Sequence, residues 1–356
     1  MISSLHIIGS GGFGGAERFF VRLVHALHEA GQTVAAVSRP GGMVMPELRP
    51  EIEHHGVPLR NVLDLPSRWA IRRLVRERRP DIVQTYMGRA TRLTRLKGRG
   101  PVHIARLGGF YKLDGYRHAE AWVGNTTAIC DYLREGGFPA ERVFHIHNFV
   151  DLAPPLAEAE LTAARASFDI PVDARVISGV GRLVEKKGFQ DLLDAFARLP
   201  AELEGRPLHL LIAGDGPLSE PLRKQTRALG LESRVHWAGW QRDPAPVYQL
   251  AEVFVCPSRH EPLGNVILEA WSHGRPVLST ASHGALELIS PDESGVLVPC
   301  EEPSRMAETL LALLADEPAQ QQIAAAGRTV AGGQYGRTAV VESYLSLYDE
   351  LLRRLR

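Results

Sequence analysis

Residues 5–17 read Leu-His-Ile-Ile-Gly-Ser-Gly-Gly-Phe-Gly-Gly-Ala-Glu. An apolar run stops at Ile8, and five glycines fall in the next seven positions. Helical spacing then begins at once, with Phe19, Phe20, Leu23, Val24 and Leu27 recurring over 16–30. Strand, turn and helix within thirty residues are the opening of a parallel α/β unit. Gly9, Gly11 and Gly14 also spell G-x-G-x-x-G, a turn in which backbone can come close to a pyrophosphate. A nicotinamide dinucleotide calls for an acidic residue at the end of the second strand, roughly twenty residues further on. That strand ends Val37-Ser38-Arg39-Pro40 instead. Arg39 leaves an NADP-dependent oxidoreductase as an alternative, so the turn by itself names no ligand.

The same rhythm continues along the chain. The spacing predicts strands at 5–8, 33–37, 81–85, 102–106, 121–124 and 143–146, then at 175–180, 208–213, 234–237, 252–256, 276–279 and 295–298. Helical patterns separate them, so the sheets are parallel and doubly wound. Two sets of six give two Rossmann-like domains, residues 1–150 and 151–337, expected to face each other across a cleft. Pro154-Pro155 breaks the rhythm between them. A last amphipathic helix over 338–356 is expected to pack back across the junction. A chain of 356 residues, 44% hydrophobic and 23% charged, suits this globular class. No apolar run reaches the roughly 18–20 residues of a membrane span. Cys130, Cys256 and Cys300 lie too far apart for a zinc knuckle or a disulfide framework, which points to a reducing cytoplasm.

The second half carries polar residues at successive strand exits, where doubly wound sheets bind ligands. Gly179-Val-Gly-Arg-Leu-Val-Glu-Lys-Lys-Gly188 places Arg182 and Lys187 in a glycine-bounded loop. Both suit a diphosphate, the guanidinium by bidentate contact and the ammonium as a point charge. Ala213-Gly-Asp-Gly-Pro217 is a tight turn into a helix. Ala238-Gly239-Trp240 offers an apolar edge for a base. Pro257-Ser-Arg-His-Glu-Pro-Leu-Gly-Asn265 runs into a helix whose first amides, at Leu263, Gly264 and Asn265, are donors for an anion. Glu261 and Glu269 flank that point and suit hydroxyl pairs. Each feature alone is an ordinary surface loop, but four exits in succession are not.

The set G-R-x-x-x-x-K-G at 181–188, A-G-D-G-P at 213–217, E-x7-E at 261–269 and G-G-x-E at 14–17 resembles the retaining glycosyltransferases of family 4. The resemblance implies two Rossmann-like domains of the GT-B kind and a UDP- or GDP-sugar donor, with no other cofactor. It implies that Arg182 and Lys187 hold the donor diphosphate and that Glu261, helped by the amides of 263–265, touches the transferred sugar. Glu269 then binds the ribose, Gly214 and Gly239 line the nucleotide, and Gly14 and Gly15 let the N-terminal loop approach donor phosphate and acceptor. Gly109-Phe-Tyr-Lys-Leu-Asp-Gly115 is similar to the lipopolysaccharide-core branch. The chain has no D-x-D, so Arg182 and Lys187 take the place of a metal ion. Relatives carry a His after the fifth strand. Here Val102-His-Ile-Ala-Arg-Leu-Gly-Gly109 puts Arg106 in that neighbourhood as the candidate contact, with Lys112 and Asp114 in the following loop, and leaves His103 as a buried strand residue.

Charge divides unevenly. Residues 1–150 hold 21 basic against 13 acidic side chains, a surplus of eight that the remainder balances. Residues 68–99 alone carry eleven cations and two acids, Glu77 and Asp81. Few aromatics accompany them, so stacking sites for bases are scarce and nucleic acid is a poor partner. An anionic membrane surface fits better, with the protein peripheral on the cytoplasmic face of an inner membrane and a glycan or lipid-linked sugar as acceptor. A solvated arginine face with a soluble acceptor is the plain alternative. A sugar-binding module without chemistry is another, and the full phosphate set speaks against it.

Overall fold

The computed structural model describes residues 1–96 and 100–355; Lys97 and Arg99 of the basic segment lie outside the described residues. The chain forms two compact units, Met1–Phe149 with Arg337–Arg356, and Val150–Gly336. Each is built on a parallel sheet.

The first sheet comprises β1 Ser3–Ile8, β2 Thr33–Ser38, β3 Glu53–Gly56, β4 Ile82–Tyr86, β5 Val102–Leu107, β6 Ala121–Gly124 and β7 Val143–His145. Its order is β3-β2-β1-β4-β5-β6-β7. Alternation sends Leu5, Ala35, Val37 and Val83 to one apolar layer and Ile8, Val34, Ala36 and Ile82 to the other. Both faces are therefore covered, as a parallel sheet requires. The direction of winding reverses between β1 and β4, which places the Gly9–Gly14 loop at the switch point where such sheets take ligands. The short polar strand β3 has no apolar alternation and escapes sequence reading.

The second sheet comprises β8 Arg175–Val180, β9 Glu202–Leu203, β10 Arg206–Ala213, β11 Val235–Gly239, β12 Val253–Cys256, β13 Val277–Thr280 and β14 Val296–Val298. Its main order is β11-β10-β8-β12-β13-β14, with β9 antiparallel on β10. Here the winding reverses between β8 and β12.

The helix Arg337–Leu355 lays Val340, Val341, Tyr344, Leu347, Tyr348 and Leu351 into the first unit's core, beside Phe19, Phe20 and Phe149. Its anchor is Arg106. That side chain is 3% exposed, its Nε donates to Tyr344 Oη at 3.1 Å, its Nη2 bonds Asn148, and its guanidinium lies 3.9 Å above the Phe19 ring. Arg106, the expected substrate contact, is thus placed in the core with its Nε and Nη2 bonded to Tyr344 and Asn148. A buried cation needs such partners because desolvation is otherwise uncompensated. Tyr344→Phe removes one acceptor and should lower the unfolding free energy by about 1.5–3 kcal/mol, the range for hydrogen bonds to charged groups. Urea unfolding measures it.

Candidate active site

The second unit gathers its strand exits at the switch point. Backbone bonds join them: Gly181 N to Ala213 O at 2.9 Å, Leu183 N to Asp215 O at 2.9 Å, Gly214 N to Gly239 O at 2.8 Å, and His260 N to Lys186 O at 3.1 Å. Such close backbone contact leaves no room for side chains. A Cβ on Gly214, whose φ is +147°, would lie 1.8 Å from the Gly181 carbonyl oxygen. On Gly188, with φ +65°, it would lie 2.0 Å from the Pro257 carbonyl oxygen. Gly239 is also left-handed, but open space surrounds it.

Across the β8–β12 junction the ammonium of Lys187 pairs with the carboxylate of Glu261. Burial pulls the Lys187 pKa down, yet Glu261, then Cys256 and Glu269, outweigh it and hold the pKa above the ordinary value of 10.5. Lys187 is thus charged through the neutral range. Cys256 lies beneath; burial, with Glu261 adding to it, pushes its thiol pKa up. Glu269 stands in the helix Asn265–Ser272, where its Oε2 accepts the Tyr248 hydroxyl at 2.7 Å. Tyr248 is fully buried and stacked on His273, with centroids 5.1 Å apart and planes at 11°. The helix starts at Gly264, in left-handed backbone at φ +88°, so the amides of Leu263, Gly264 and Asn265 lie at its positive end. Arg182 is exposed after β8, and among the described residues its side chain has no ion-pair partner.

Three supports carry no motif that sequence reading would catch. Arg259 donates Nε and Nη2 to the two oxygens of buried Asp191 at 2.7 Å each, and Nη1 to Glu185 at 2.6 Å. That fork fastens the Lys187 loop to the Glu261 loop, and the Asp191 bond raises the Arg259 pKa. Tyr248 fixes Glu269. Gly284 donates its amide to Glu261 O at 2.8 Å and lies so near Leu263 that a Cβ would come within 2.4 Å of its backbone.

In the first unit, Gly14 and Gly15 are exposed at the start of the helix Gly15–Glu29, with Gly14 N bonded to Glu17 Oε2 at 2.9 Å. Arg89 secures the loop by donating to Gly9 O at 3.0 Å. His103 is buried and bonded to Thr85 at 3.0 Å, and desolvation lowers its pKa to about 3, so it stays neutral.

Two parallel α/β units, one with a cation–carboxylate pair at its switch point, define a class of enzyme that takes a phosphorylated, hydroxyl-rich ligand. Two family models cover most of the chain: "Glycosyltransferase Family 4" matches residues 13–154 and "Glycosyl transferases group 1" matches 162–330. The chain is 35% identical over 339 residues to the lipopolysaccharide core biosynthesis glycosyltransferase LpsE of Rhizobium meliloti, covering 94% of this chain and 95% of that one. It is 32% identical over 345 residues to LpsD of the same organism, with the same coverage. A structure of HepE from Anabaena in complex with UDP and glucose superposes with a TM-score of 0.84 at 19% identity, covering 98% of this chain and all of that one. The chain belongs to the family 4 glycosyltransferases. It has their GT-B fold, and it transfers a sugar from a nucleotide-sugar donor.

The close approach at Gly188 yields a test. Gly188→Ala meets both a left-handed backbone and the Pro257 oxygen, so it should cost more than about 1–2 kcal/mol. It should also part Lys187 from Glu261. Thermal unfolding reads the first effect, and the weakening of donor binding reads the second.

Proposed function

We propose that the protein is a metal-independent, retaining glycosyltransferase of lipopolysaccharide-core or related cell-surface glycan synthesis, using a UDP- or GDP-sugar. The observation that carries this reading is the Lys187–Glu261 pair at the β8–β12 switch point, with Glu269 held nearby and helix amides between them. Residues 151–337 take the donor. Lys187 and Arg182 neutralise its diphosphate and stabilise the charge that grows on the leaving nucleotide. Glu261, with the amides of Leu263, Gly264 and Asn265, orients the transferred sugar. Glu269 takes the ribose, and Gly214 and Gly239 let the nucleotide lie against backbone. Residues 1–150 present the acceptor, with Gly14 and Gly15 approaching donor phosphate. The acceptor hydroxyl loses its proton to the leaving phosphate as the new glycosidic bond forms on the face the nucleotide vacates. Rate then comes chiefly from orientation and fixed charge.

The HepE complex with UDP and glucose and the similarity to LpsE and LpsD of lipopolysaccharide core biosynthesis support a UDP-sugar and a lipid-borne core acceptor. Among the described residues, no helix is long and apolar enough to cross a membrane. Its cationic surplus makes the basic 68–99 region the surface for contact with the cytoplasmic face of the inner membrane. Within it, Arg72 is spent on the Arg95 carbonyl at 3.0 Å, while Arg73, Arg76 and Arg79 are exposed.

Lys187→Ala and Glu269→Ala should each lower donor turnover at least about a hundredfold while circular dichroism shows an intact fold. Wild-type turnover in both would refute the donor-site assignment. Transfer should also persist in EDTA, because protein cations stand where a metal would. Loss on chelation with recovery on adding magnesium or manganese would overturn the metal-independent reading.

A further inference from the structure

The loop after β3 and the first turns of the helix Leu65–Arg78 carry an apolar tip that the first unit's core does not use. Leu63, Leu65 and Trp69 are 77%, 65% and 63% exposed. Leu65 and Trp69 are one helical turn apart, and Arg73 and Arg76 continue the same outward stripe while Ile71 and Val75 face the core. The tip is held stiffly. Asp64 accepts the amides of Arg60 at 2.9 Å and Ser67 at 3.2 Å, Asn61 accepts the amide of Leu63 at 2.8 Å, and Ser67 Oγ accepts the amide of Leu59 at 2.9 Å. Four of its backbone amides are thus satisfied from within while its apolar side chains are exposed. That combination suits a layer poor in water, where unpaired amides are costly.

Three adjacent large side chains in the open are more than scattered surface apolarity. Their neighbours choose the occupant. Arg60, Arg73 and Arg76 are exposed around them, and the one acid on that stripe, Glu77, makes only a solvent-exposed pair with Arg73 at 2.7 Å, weak enough for a phosphate to replace it. A stable protein–protein contact needs about 800 Å² from each partner, which three side chains do not supply. A lipid interface needs no matching shape, takes tryptophan at headgroup depth and answers arginine with phosphate.

We propose that residues 60–76 are a bilayer anchor, in which Leu63, Leu65 and Trp69 enter the headgroup–acyl boundary and Arg60, Arg73 and Arg76 meet anionic phosphates. This deepens the lipid-borne acceptor reading and rests on it. β3 is the edge strand, and its exit lies at the same end of the parallel sheet as the Gly9–Gly14 loop. The anchor and the acceptor-side loop therefore face one end of one unit. Met43 and Met45, half-exposed after the neighbouring β2, extend that end's apolar character. The basic surface then binds by insertion as well as by charge, so salt alone does not release it.

Flotation of the full chain on phosphatidylcholine vesicles, with and without phosphatidylglycerol, tests this. Wild type should float with the anionic vesicles and keep part of that binding in high salt, because apolar insertion is not screened. The triple variant Leu63→Ser, Leu65→Ser, Trp69→Ser should lose partitioning at least about tenfold and lose the salt-resistant part entirely. Arg73→Glu with Arg76→Glu should abolish the anionic preference. An unchanged UDP-induced thermal shift in every variant controls for folding. The proposal is overturned if wild type does not float, if the triple variant floats as wild type does, or if sedimentation shows a wild-type dimer that the triple variant lacks. Flotation as expected, with equal transfer to a soluble and a vesicle-borne core sugar, supports the anchor and defeats the acceptor reading alone.

Discussion

An ammonium paired with a carboxylate bridges two strand exits of the second unit. Lys187 leaves β8, Glu261 leaves β12, and their attraction spans the place where the sheet reverses its winding. In a half-buried site such a pair interacts several times more strongly than in water. The pair is not left to find its own geometry. Arg259, forked onto Asp191 and reaching Glu185, ties the two loops together from outside the ligand position. Glycine at 188, 214 and 284 lets backbone approach backbone where any Cβ would collide. Remove the close approaches and the charges would still exist, but on separate loops.

The first unit solves a different problem with a different cation. Its last helix comes from the far end of the chain, and a long loop closure must be offset by contacts that form late in sequence. Arg106 and the aromatic side chains of Phe19, Tyr344 and Tyr348 supply them. Tyr348 donates to Gln84 at 2.7 Å, and Gln84 in turn bonds Tyr86, which bonds His6 at 2.9 Å. Burial drops the His6 pKa to about 3, so this chain of polar groups is neutral and serves packing.

Strand and helix periods made the two parallel sheets legible, because alternating apolar runs and helical stripes are local properties of sequence. Glu53–Gly56 escaped because a short polar edge strand is defined by its neighbour, not by its own residues. The donor loops were legible as motifs, each with its glycine. Arg259, Asp191 and Tyr248 were not, since a positioning residue acts through a partner distant in sequence: Asp191 and Arg259 are 68 positions apart. Arg106 shows the converse case. Its place near the end of a central strand suggested a ligand contact, and only the three-dimensional neighbours Tyr344 and Asn148 show where its Nε and Nη2 are bonded. Likewise the Arg68–Arg79 run reads as uniformly cationic, whereas the fold sorts Arg72 to a carbonyl and Trp69 into solvent.

The charge balance of the donor site bears on how it would respond to substrate. Lys187 and Arg182 set two positive charges against the two carboxylates Glu261 and Glu269. A diphosphate brings negative charge that cannot sit beside Glu261 while Glu261 keeps Lys187. Under the proposed reading the phosphate takes over the ammonium, and Glu261 turns its acceptor oxygens to the hydroxyls of the transferred sugar. Tyr248 keeps Glu269 from following, because its buried hydroxyl fixes that carboxylate on the helix. One carboxylate is thus exchangeable and the other held, a difference made by their partners and not by their residue type.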